Sequence, residues 1–325
     1  MTDVFLSCDW GTSSFRLKLI QVEDFRVLGQ VASEVGALAL SSAPSRAEAF
    51  ASYLAQAADK LLAQVGLESL APPIWISGMA SSSIGWREVP YTEVPVDLRR
   101  PELVIERVGP LSSDLRSEVQ LVSGLRTHDD VMRGEETQTI GLLDSPARRA
   151  FREDSVVILP GTHSKHVRIA AGRIVDLSTF MTGELFDLLR RASVLRHSIA
   201  PDAHSFAPGL EDAFLAGVRA GRERPLLSAI FQVRTGEILG GRTSHQGASY
   251  LSGVLIGSEL SHSPLLLDAR RVLLAASNAT TGLYALALEA LGLPAEVEVV
   301  PHQELELACA RGHALLRATH GDGDA

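Results

Sequence analysis

The chain has only two cysteines among its 325 residues and no apolar run long enough to cross a membrane. The two thiols, Cys8 and Cys309, are too few for a disulfide framework, so we expect both to be reduced. No cationic segment precedes an apolar run near Met1, which argues against a secretion signal. These absences predict a cytoplasmic protein with no membrane partner.

Basic side chains are also scarce, since 30 Lys and Arg stand against 39 Asp and Glu, for a formal net charge of −9. Such a chain has no general basic field for nucleic acid, so any anionic ligand must be held by local groups. The motifs of P-loop, Rossmann and serine-hydrolase sites, GxxxxGK(S/T), GxGxxG and GxSxG, do not occur. The length and the 46% content of hydrophobic residues suit a globular chain with two separate cores.

Residues 4–20 predict a hairpin with an anion-binding turn. An apolar strand ends at Asp9, and apolar residues alternate with polar ones over residues 15–19. The turn between them can point backbone N–H groups and hydroxyls at phosphate through Gly11, Thr12 and Ser13. Asp9 would lie beside that anion as an oxygen ligand for Mg²⁺. From these residues alone, an ordinary hairpin with a solvated Asp9 remains the alternative.

A second copy of this unit occurs at half-chain spacing. Residues 156–170 again read as an apolar strand, a Gly-Thr turn and an alternating strand, and both copies continue into a third strand-like piece. One recurrence at this spacing indicates duplication rather than a solenoid array. We therefore expect two domains, residues 1–148 and 149–325, whose two hairpins grip one polyphosphate.

The order of the motifs resembles that of one sugar-kinase family. The 2-dehydro-3-deoxygalactonokinases, of the sugar kinase, Hsp70 and actin superfamily, show in the same order the segments DWGTSSFRLKL, SGMASSSIGWREVPY, DVMRGEETQ, LPGTHSKHV, FMTGELFDLL, VRTGEILG and YLSGVLIGSEL. The resemblance implies an α/β fold with two ribonuclease H-like (actin-like ATPase) domains, mixed sheets flanked by helices, and an interdomain cleft. It also implies transfer of the γ-phosphoryl group of MgATP to the terminal hydroxyl of 2-dehydro-3-deoxygalactonate, which gives the 6-phosphate in galactonate catabolism.

The expected ATP site draws on both hairpins and on two helix starts. The residues predicted to contact ATP are Gly11, Thr12, Ser13, Gly161, Thr162, His163, Ser164, Lys165, Gly183, Ser277 and Asn278. Lys165 has an alternative role as an outward-facing strand residue, and Glu184 is expected to be structural. Relatives usually show an Ala-Gly-Thr type sequence at the adenosine loop, where this chain has Ala276-Ser277-Asn278.

The densest polar cluster, residues 127–138, contains four carboxylates, one His and one Arg. A charge run is usually a solvated face, but phosphoryl transfer to a sugar acid needs a carboxylate base and a cation. In related sugar kinases a Gly-Asp pair at the corresponding place supplies the catalytic base, so the resemblance implies Glu135, at the expected start of a helix, as the candidate base, with Glu136 second. Arg133 is the candidate partner of the substrate carboxylate, because its planar fork can bind one bidentately.

A Gly/Ser loop follows the apolar strand at residues 74–76, and ligands bind at the ends of such strands. The predicted substrate contacts are Gly78, Met79, Ser82, Trp86, Arg133 and Glu136. A flexible connector is the alternative for this loop, and Trp86 either walls a pocket or packs the loop.

Two other functions remain compatible with these residues. One is a kinase for a different sugar or sugar acid, and the other is a non-catalytic nucleotide or metabolite sensor on the same scaffold, suggested by the altered adenosine loop. The apolar helices late in the chain leave room for a homodimer.

Overall fold

The computed structural model describes residues 3–109, 115–201, 209–293 and 296–321. Contacts divide the chain into two compact units, the first with residues 1–152, 170–176 and 303–325, the second with residues 153–169 and 177–302. The domain boundary expected at residue 148 lies four residues before Arg152, where the first segment of the first unit ends. The segment from residue 303 onward belongs to the first unit, although the sequence assigned it to the second domain.

Strands are short and follow the apolar runs of the sequence. They are β1 (Val4–Trp10), β2 (Phe15–Gln21), β3 (Arg26–Ser33), β4 (Ile74–Gly78), β5 (Thr92–Glu93), β6 (Val96–Asp97), β7 (Ile105–Val108), β8 (Val119–Val122), β9 (Leu125–Arg126), β10 (Val131–Met132), β11 (Asp154–Leu159), β12 (Ser164–Ala170), β13 (Arg173–Phe180), β14 (Arg271–Leu274) and β15 (Glu296–Val299).

Helices occupy most of the remaining described chain. They are α1 (Ala37–Ser41), α2 (Arg46–Gln64), α3 (Glu135–Leu143), α4 (Arg149–Glu153), α5 (Thr182–Ala192), α6 (Glu211–Glu223), α7 (Leu226–Gly240), α8 (Ser244–His262), α9 (Asn278–Leu291) and α10 (His302–His320), with 3-10 turns at Met79–Ser81, Pro146–Arg148 and Val194–His197. None of the helices in the described ranges is long and apolar enough to cross a bilayer.

The main sheet of the first unit has the order β3-β2-β1-β4-β8-β7. Strand β1 pairs antiparallel with β2 and parallel with β4, with Asp9 opposite Ser77 and Trp10 opposite Gly78. The carboxyl ends of β1 and β4 therefore lie at one edge of the sheet, where ligands bind in open α/β sheets. A small sheet of order β10-β9-β5 leads from there to α3.

The second unit repeats this strand order. Its sheet runs β15-β14-β11-β12-β13, which matches β8-β4-β1-β2-β3 of the first unit position by position. Strand β14 is parallel to both β11 and β15, as β4 is to β1 and β8. The duplicated hairpin and the α/β class with mixed sheets and flanking helices are confirmed.

The core of the first unit forms between its main sheet and α2. Phe50, Leu54 and Leu61 lie at helical spacing on one stripe of α2, and all three are fully buried against strand residues. On α3, a Cβ at Gly141 would lie 1.9 Å from the carbonyl oxygen of Ala308 in α10. The two helices therefore touch backbone to backbone, which fixes α10 against the helix that carries the predicted base.

Candidate active site

Three backbone segments meet at the carboxyl edge of the first sheet. Gly78, with φ of 100°, ends β4, and a Cβ there would lie 2.6 Å from the carbonyl oxygen of Trp10. Gly134, with φ of 112°, precedes α3, and a Cβ there would lie 3.3 Å from Gly78 Cα. Both dihedrals suit glycine alone. The close approach brings Asp9, Gly78 and the start of α3 together.

Asp9 has a half-buried carboxylate at the end of β1. Burial raises its pKa, Arg16, at 3.4 Å, lowers it, and the nearby charge of Glu135 raises it again. The two carboxylates are therefore close enough to repel one another, which a cation would relieve. Mg²⁺ uses one or two carboxylates and fills its other positions with water and phosphate oxygens, so Asp9 with Glu135 nearby fits that ion. Within the described ranges, no cluster of three or more His, Cys, Asp or Glu could hold a metal.

Glu135 and Glu136 open α3 but differ in their surroundings. Glu135 is partly exposed, and its Oε2 accepts a hydrogen bond from the Arg133 N–H at 3.1 Å. Glu136 is fully buried, and both of its oxygens accept from the Gly134 N–H, at 2.9 and 2.7 Å. Its carboxyl group supports the helix start from inside, and the substrate role of Glu136 stays a prediction that this burial does not favour. Glu135 is the acid that remains accessible for proton transfer.

Arg133 has no carboxylate partner in the described part of the chain. Its Nη1 donates to Ser81 Oγ at 2.8 Å, its Nη2 donates to the Val89 carbonyl at 3.1 Å, and the guanidinium lies 4.1 Å from the Tyr91 ring centroid. Its Nε is buried and has no hydrogen-bond partner among these residues. The head group is thus fixed in place while its charge remains available for an anion.

Several side chains of the loop after β4 are buried against the first unit. Trp86 is buried and stacks on Phe50 with a ring centroid distance of 6.4 Å, and Ser82 is buried with its hydroxyl donating to the Met79 carbonyl. Met79 packs against the core of the first unit. The ring of Trp86 lies in the apolar core, which agrees with the alternative that this side chain packs the loop. Gly78 is the predicted contact that lies at the sheet edge.

The first predicted phosphate turn is supported from behind. The carbonyl groups of Gly11 and Thr12 accept from the N–H groups of Ala37 and Leu38, each at 3.0 Å. A Cβ at Gly36 would lie 2.2 Å from the Thr12 carbonyl oxygen, so only glycine allows this contact. The side chains of Thr12 and Ser13 are exposed. The turn therefore presents its hydroxyls to solvent, while its carbonyl oxygens accept hydrogen bonds from the start of α1.

The second turn has a helix start directly behind it. A Cβ at Gly183 would lie 2.4 Å from the Gly161 carbonyl oxygen, and the Glu184 N–H donates to the Thr162 carbonyl at 2.9 Å. The N-terminus of α5 thus rests on the Gly-Thr turn, where its N–H groups and dipole favour an anion. Gly161 and Thr162 are exposed. Glu184 contacts the ring of His163 at the surface beside the turn.

Two other predicted phosphate ligands in this hairpin have buried side chains. Ser164 is fully buried, and its hydroxyl donates to Glu259 at 2.7 Å. Lys165 is also buried, and its Nζ donates to the His163 carbonyl at 2.9 Å, so it does not point outward. The hydroxyl of Ser164 therefore anchors the turn to Glu259, and its predicted contact with phosphate is not favoured by this burial. At the predicted adenosine loop, Ser277 is exposed and caps α9, while the side chain of Asn278 lies outside the described residues.

Two buried networks behind these turns were not predicted. In the first unit, His313 of α10 lies 2.8 Å from both Ser7 Oγ and Ser77 Oγ, and Ser77 contacts Thr137 at 2.7 Å. Thr137 then donates to Glu136 at 3.2 Å, which completes a chain from α10 to the start of α3. In the second unit, Glu259 accepts from Ser164. The sequence signal for Glu259 was a lone acid in an apolar helical stretch, whereas His313 lies among other polar residues of α10 and gave no such signal.

The buried Glu136 predicts an unusual pH dependence of stability. Burial, with a smaller effect of Glu135, raises the pKa of Glu136 from 4.5 to about 8. Between these values the folded protein binds a proton that the unfolded chain releases, so stability falls as pH rises toward 8. The slope for one such group is about 1.4 kcal/mol per pH unit. We expect Glu136→Gln to flatten the decline in unfolding free energy, measured by urea denaturation between about pH 6 and 8.

Glu93→Gln, at an exposed carboxylate, is the matched control and should keep the wild-type slope. Identical pH profiles for wild type and Glu136→Gln would contradict the protonated state of Glu136.

Comparison with known proteins connects this geometry to a family. The model of the 2-keto-3-deoxy-galactonokinase family matches residues 9–309. Two curated relatives carry the name 2-dehydro-3-deoxygalactonokinase. One, from Rhizobium meliloti (strain 1021), is 38% identical over 89% of this chain and 90% of its own length. The other, from Escherichia coli (strain K12), is 31% identical over 90% of this chain and 91% of its own length.

A solved structure agrees with the family match. A crystal structure of a Sinorhizobium meliloti protein, described under the same enzyme name, superposes with a TM-score of 0.79 at 34% identity and covers 99% of this chain and 98% of its own. The segments that suggested the family, from DWGTSSFRLKL to YLSGVLIGSEL, lie within the matched residues. The carboxylates and glycines described above lie within them too. The chain belongs to the 2-keto-3-deoxy-galactonokinase family.

Proposed function

We propose that this protein phosphorylates 2-dehydro-3-deoxy-D-galactonate at its terminal hydroxyl, with ATP as the donor and Mg²⁺ as the metal, to give the 6-phosphate in galactonate catabolism. The observation that carries the proposal is Arg133, a fixed guanidinium with no carboxylate partner in the described chain. It lies two residues from Glu135, the accessible acid at the start of α3. A cation and a base at this spacing suit an acid substrate that carries a reactive hydroxyl.

The residues have distinct roles in the proposed reaction. Arg133 binds the substrate carboxylate, and Glu135 accepts the proton of the attacking hydroxyl. The Gly-Thr turns at Gly11 and Gly161 hold phosphate groups through backbone N–H groups and hydroxyls. Asp9 would hold Mg²⁺, which would supply positive charge against the transferring phosphoryl group and would relieve the repulsion between Asp9 and Glu135.

The cellular setting follows from the proposed chemistry. We place the enzyme in the cytoplasm, where ATP is available and where Cys8 and Cys309, both buried free thiols, stay reduced. The net charge of −9 leaves no basic surface for nucleic acid, so the expected partner is the small sugar acid.

A homodimer is the proposed assembly, formed through α7. Leu227, Phe231 and Ile238 lie at helical spacing on one face of α7 and are 84%, 54% and 60% exposed. Arg234 lies on the same face but is paired with Glu237 at 2.6 Å, so the three apolar residues can pair with the same face of a second copy around a twofold axis. Exposed apolar residues arranged in a stripe mark an interface more often than scattered ones do.

A substrate panel tests the proposed acceptor. With ATP, we expect turnover of 2-dehydro-3-deoxy-D-galactonate, and much weaker turnover of its C4 epimer and of an analogue whose carboxyl group is reduced to an alcohol. Arg133→Gln should raise KM for the acid roughly 10- to 100-fold, the value of a charge-assisted hydrogen-bond pair, and should not affect the reduced analogue.

Arg126→Gln, at an exposed arginine paired with Glu93, is the control and should keep the wild-type KM. If the enzyme prefers another sugar acid, that acid is the substrate and the proposed acceptor is wrong. If Arg133→Gln and wild type have equal KM values, Arg133 does not bind the substrate carboxylate.

Glu135→Gln tests the proposed base. We expect kcat to fall by about 10²- to 10⁴-fold, because general-base catalysis is lost, while the affinity for ATP, measured by calorimetry, is kept. Asp129→Asn, an exposed carboxylate of the same polar cluster, should retain wild-type kcat. Wild-type turnover in Glu135→Gln would exclude Glu135 as the base, and ATP binding without turnover in the wild type would support a sensor instead.

The proposed dimer is tested by its mass in solution. Sedimentation should give twice the chain mass of 34.8 kDa for the wild type and the monomer mass for Phe231→Glu, since a buried charge disrupts an apolar contact. Leu267→Glu, at a residue that is 65% exposed and is not part of α7, should stay dimeric. A monomeric wild type would reject the assembly.

A further inference from the structure

A single buried carboxylate connects the segments of the second unit that are predicted to contact the nucleotide. Glu259 of α8 is 3% exposed and makes hydrogen bonds with four side chains. Its Oε1 accepts from Ser164 Oγ at 2.7 Å and His166 Nε2 at 2.9 Å, and its Oε2 accepts from Thr182 Oγ1 and from Tyr284 OH at 2.8 Å.

The donors come from three separate parts of the fold. Ser164 begins β12 and directly follows the turn of Gly161 to His163. Thr182 is the first residue of α5 and precedes Gly183, which touches that turn. Tyr284 lies in α9, the helix that starts at the predicted adenosine loop. One side chain therefore sets the spacing between a phosphate turn, a helix N-terminus and the adenosine helix.

The hydrogen bonds keep the carboxylate charged in spite of its burial. Burial acts to raise the pKa of Glu259, but the hydrogen bond and charge of His166, together with the hydroxyls of Thr182 and Ser164, outweigh it, and the pKa is lowered. His166 is itself fully buried, with its Nδ1 at 2.7 Å from Ser263 Oγ. A buried charge is tolerated only when it is fully hydrogen-bonded, so each donor has a defined position.

Glu259 is also held on a fixed helix. A Cβ at Gly253 would lie 2.0 Å from the Phe214 carbonyl oxygen, and a Cβ at Gly257 would lie 2.5 Å from the Val218 carbonyl oxygen. Helices α6 and α8 are therefore in backbone contact along this stretch, and α8 cannot shift without separating them. The carboxylate is a fixed point to which the three segments are attached.

We propose that Glu259 is a positioning residue for the nucleotide: it fixes the phosphate turn, the α5 N-terminus and α9 in the geometry that an adenine nucleoside triphosphate requires. This role rests on the proposed function. Glu259 touches no substrate atom itself, because its two oxygens are occupied by the four donors. Its effect should therefore appear in nucleotide binding and leave the affinity for the sugar acid unchanged.

Single-hydroxyl variants test this role without removing the buried charge. Thr182→Val and Tyr284→Phe each remove one donor to Glu259, and we expect each to raise the dissociation constant for ATP about 3- to 10-fold, the range of one hydrogen bond. KM for the sugar acid should stay within about twofold of wild type. Glu259→Gln places an amide N–H against two donors, so its dissociation constant for ATP should rise more than in either single variant.

Ser263→Ala is the matched control, because it removes a buried hydroxyl that contacts His166 and not Glu259. It should lower thermal stability by an amount similar to Tyr284→Phe and keep wild-type ATP affinity. Thermal melting and calorimetric titration with ATP in the full-length chain separate the two effects. Should Glu259→Gln fail to fold, Thr182→Val and Tyr284→Phe carry the test.

The outcomes distinguish this role from the proposed function. Variants that melt earlier but bind ATP as wild type does would show that Glu259 is only structural, while the kinase activity stands. A wild-type chain that neither binds ATP nor phosphorylates the sugar acid would overturn the proposed function, and the positioning role with it. Parallel losses of affinity for ATP and sugar acid would also overturn the role, since they indicate general damage.

Discussion

The contact between Gly134 and Gly78 is the constraint on which the candidate site of the first unit depends. Both residues have positive φ angles, and Gly78 lies against the carbonyl oxygen of Trp10. Asp9, Arg133 and Glu135 are each within one residue of this meeting point along the chain. Their relative positions are therefore set by backbone contact, which is stiffer than side-chain packing. The functional groups can differ in chemistry while the frame that carries them stays the same.

The two units share a strand order but stabilise their ligand-facing segments by different electrostatics. In the first unit the buried chain from His313 to Glu136 is neutral, because burial lowers the pKa of His313 to about 3 and raises that of Glu136 to about 8. In the second unit Glu259 is charged and is stabilised by His166 and three hydroxyls. Duplication conserved the topology, and the buried polar groups behind each turn diverged.

Local pattern predicted much of the fold. The alternation after Asp9 predicted β2, and the recurrence of a Gly-Thr turn predicted the second hairpin, because each depends on neighbours in sequence. The return of α10 to the first unit left no such signal, since it depends on the backbone contact of Gly141 with Ala308. Domain limits read from sequence miss contacts of this kind.

The site was predictable where chemistry depends on residue type and less so where it depends on burial. Arg133 and Glu135 were proposed because a cation and an acid in one cluster suit the reaction. The burial of Ser164 and Glu136 was not anticipated, since the sequence does not tell which polar side chain faces inward. Glu259 was overlooked within an apolar helix. An isolated acid in such a stretch is a useful signal, because it rarely remains there without several donors.

The position of α10 has a consequence for how the chain is made. His313 contacts Ser7 and Ser77 directly and is connected through Thr137 to the helix start at Glu136. It belongs to a segment that the ribosome adds after the whole of the second unit. The polar interior of the first unit therefore cannot be completed until this last segment of the chain has been synthesised, so the earliest residues reach their final surroundings only after synthesis of the second unit.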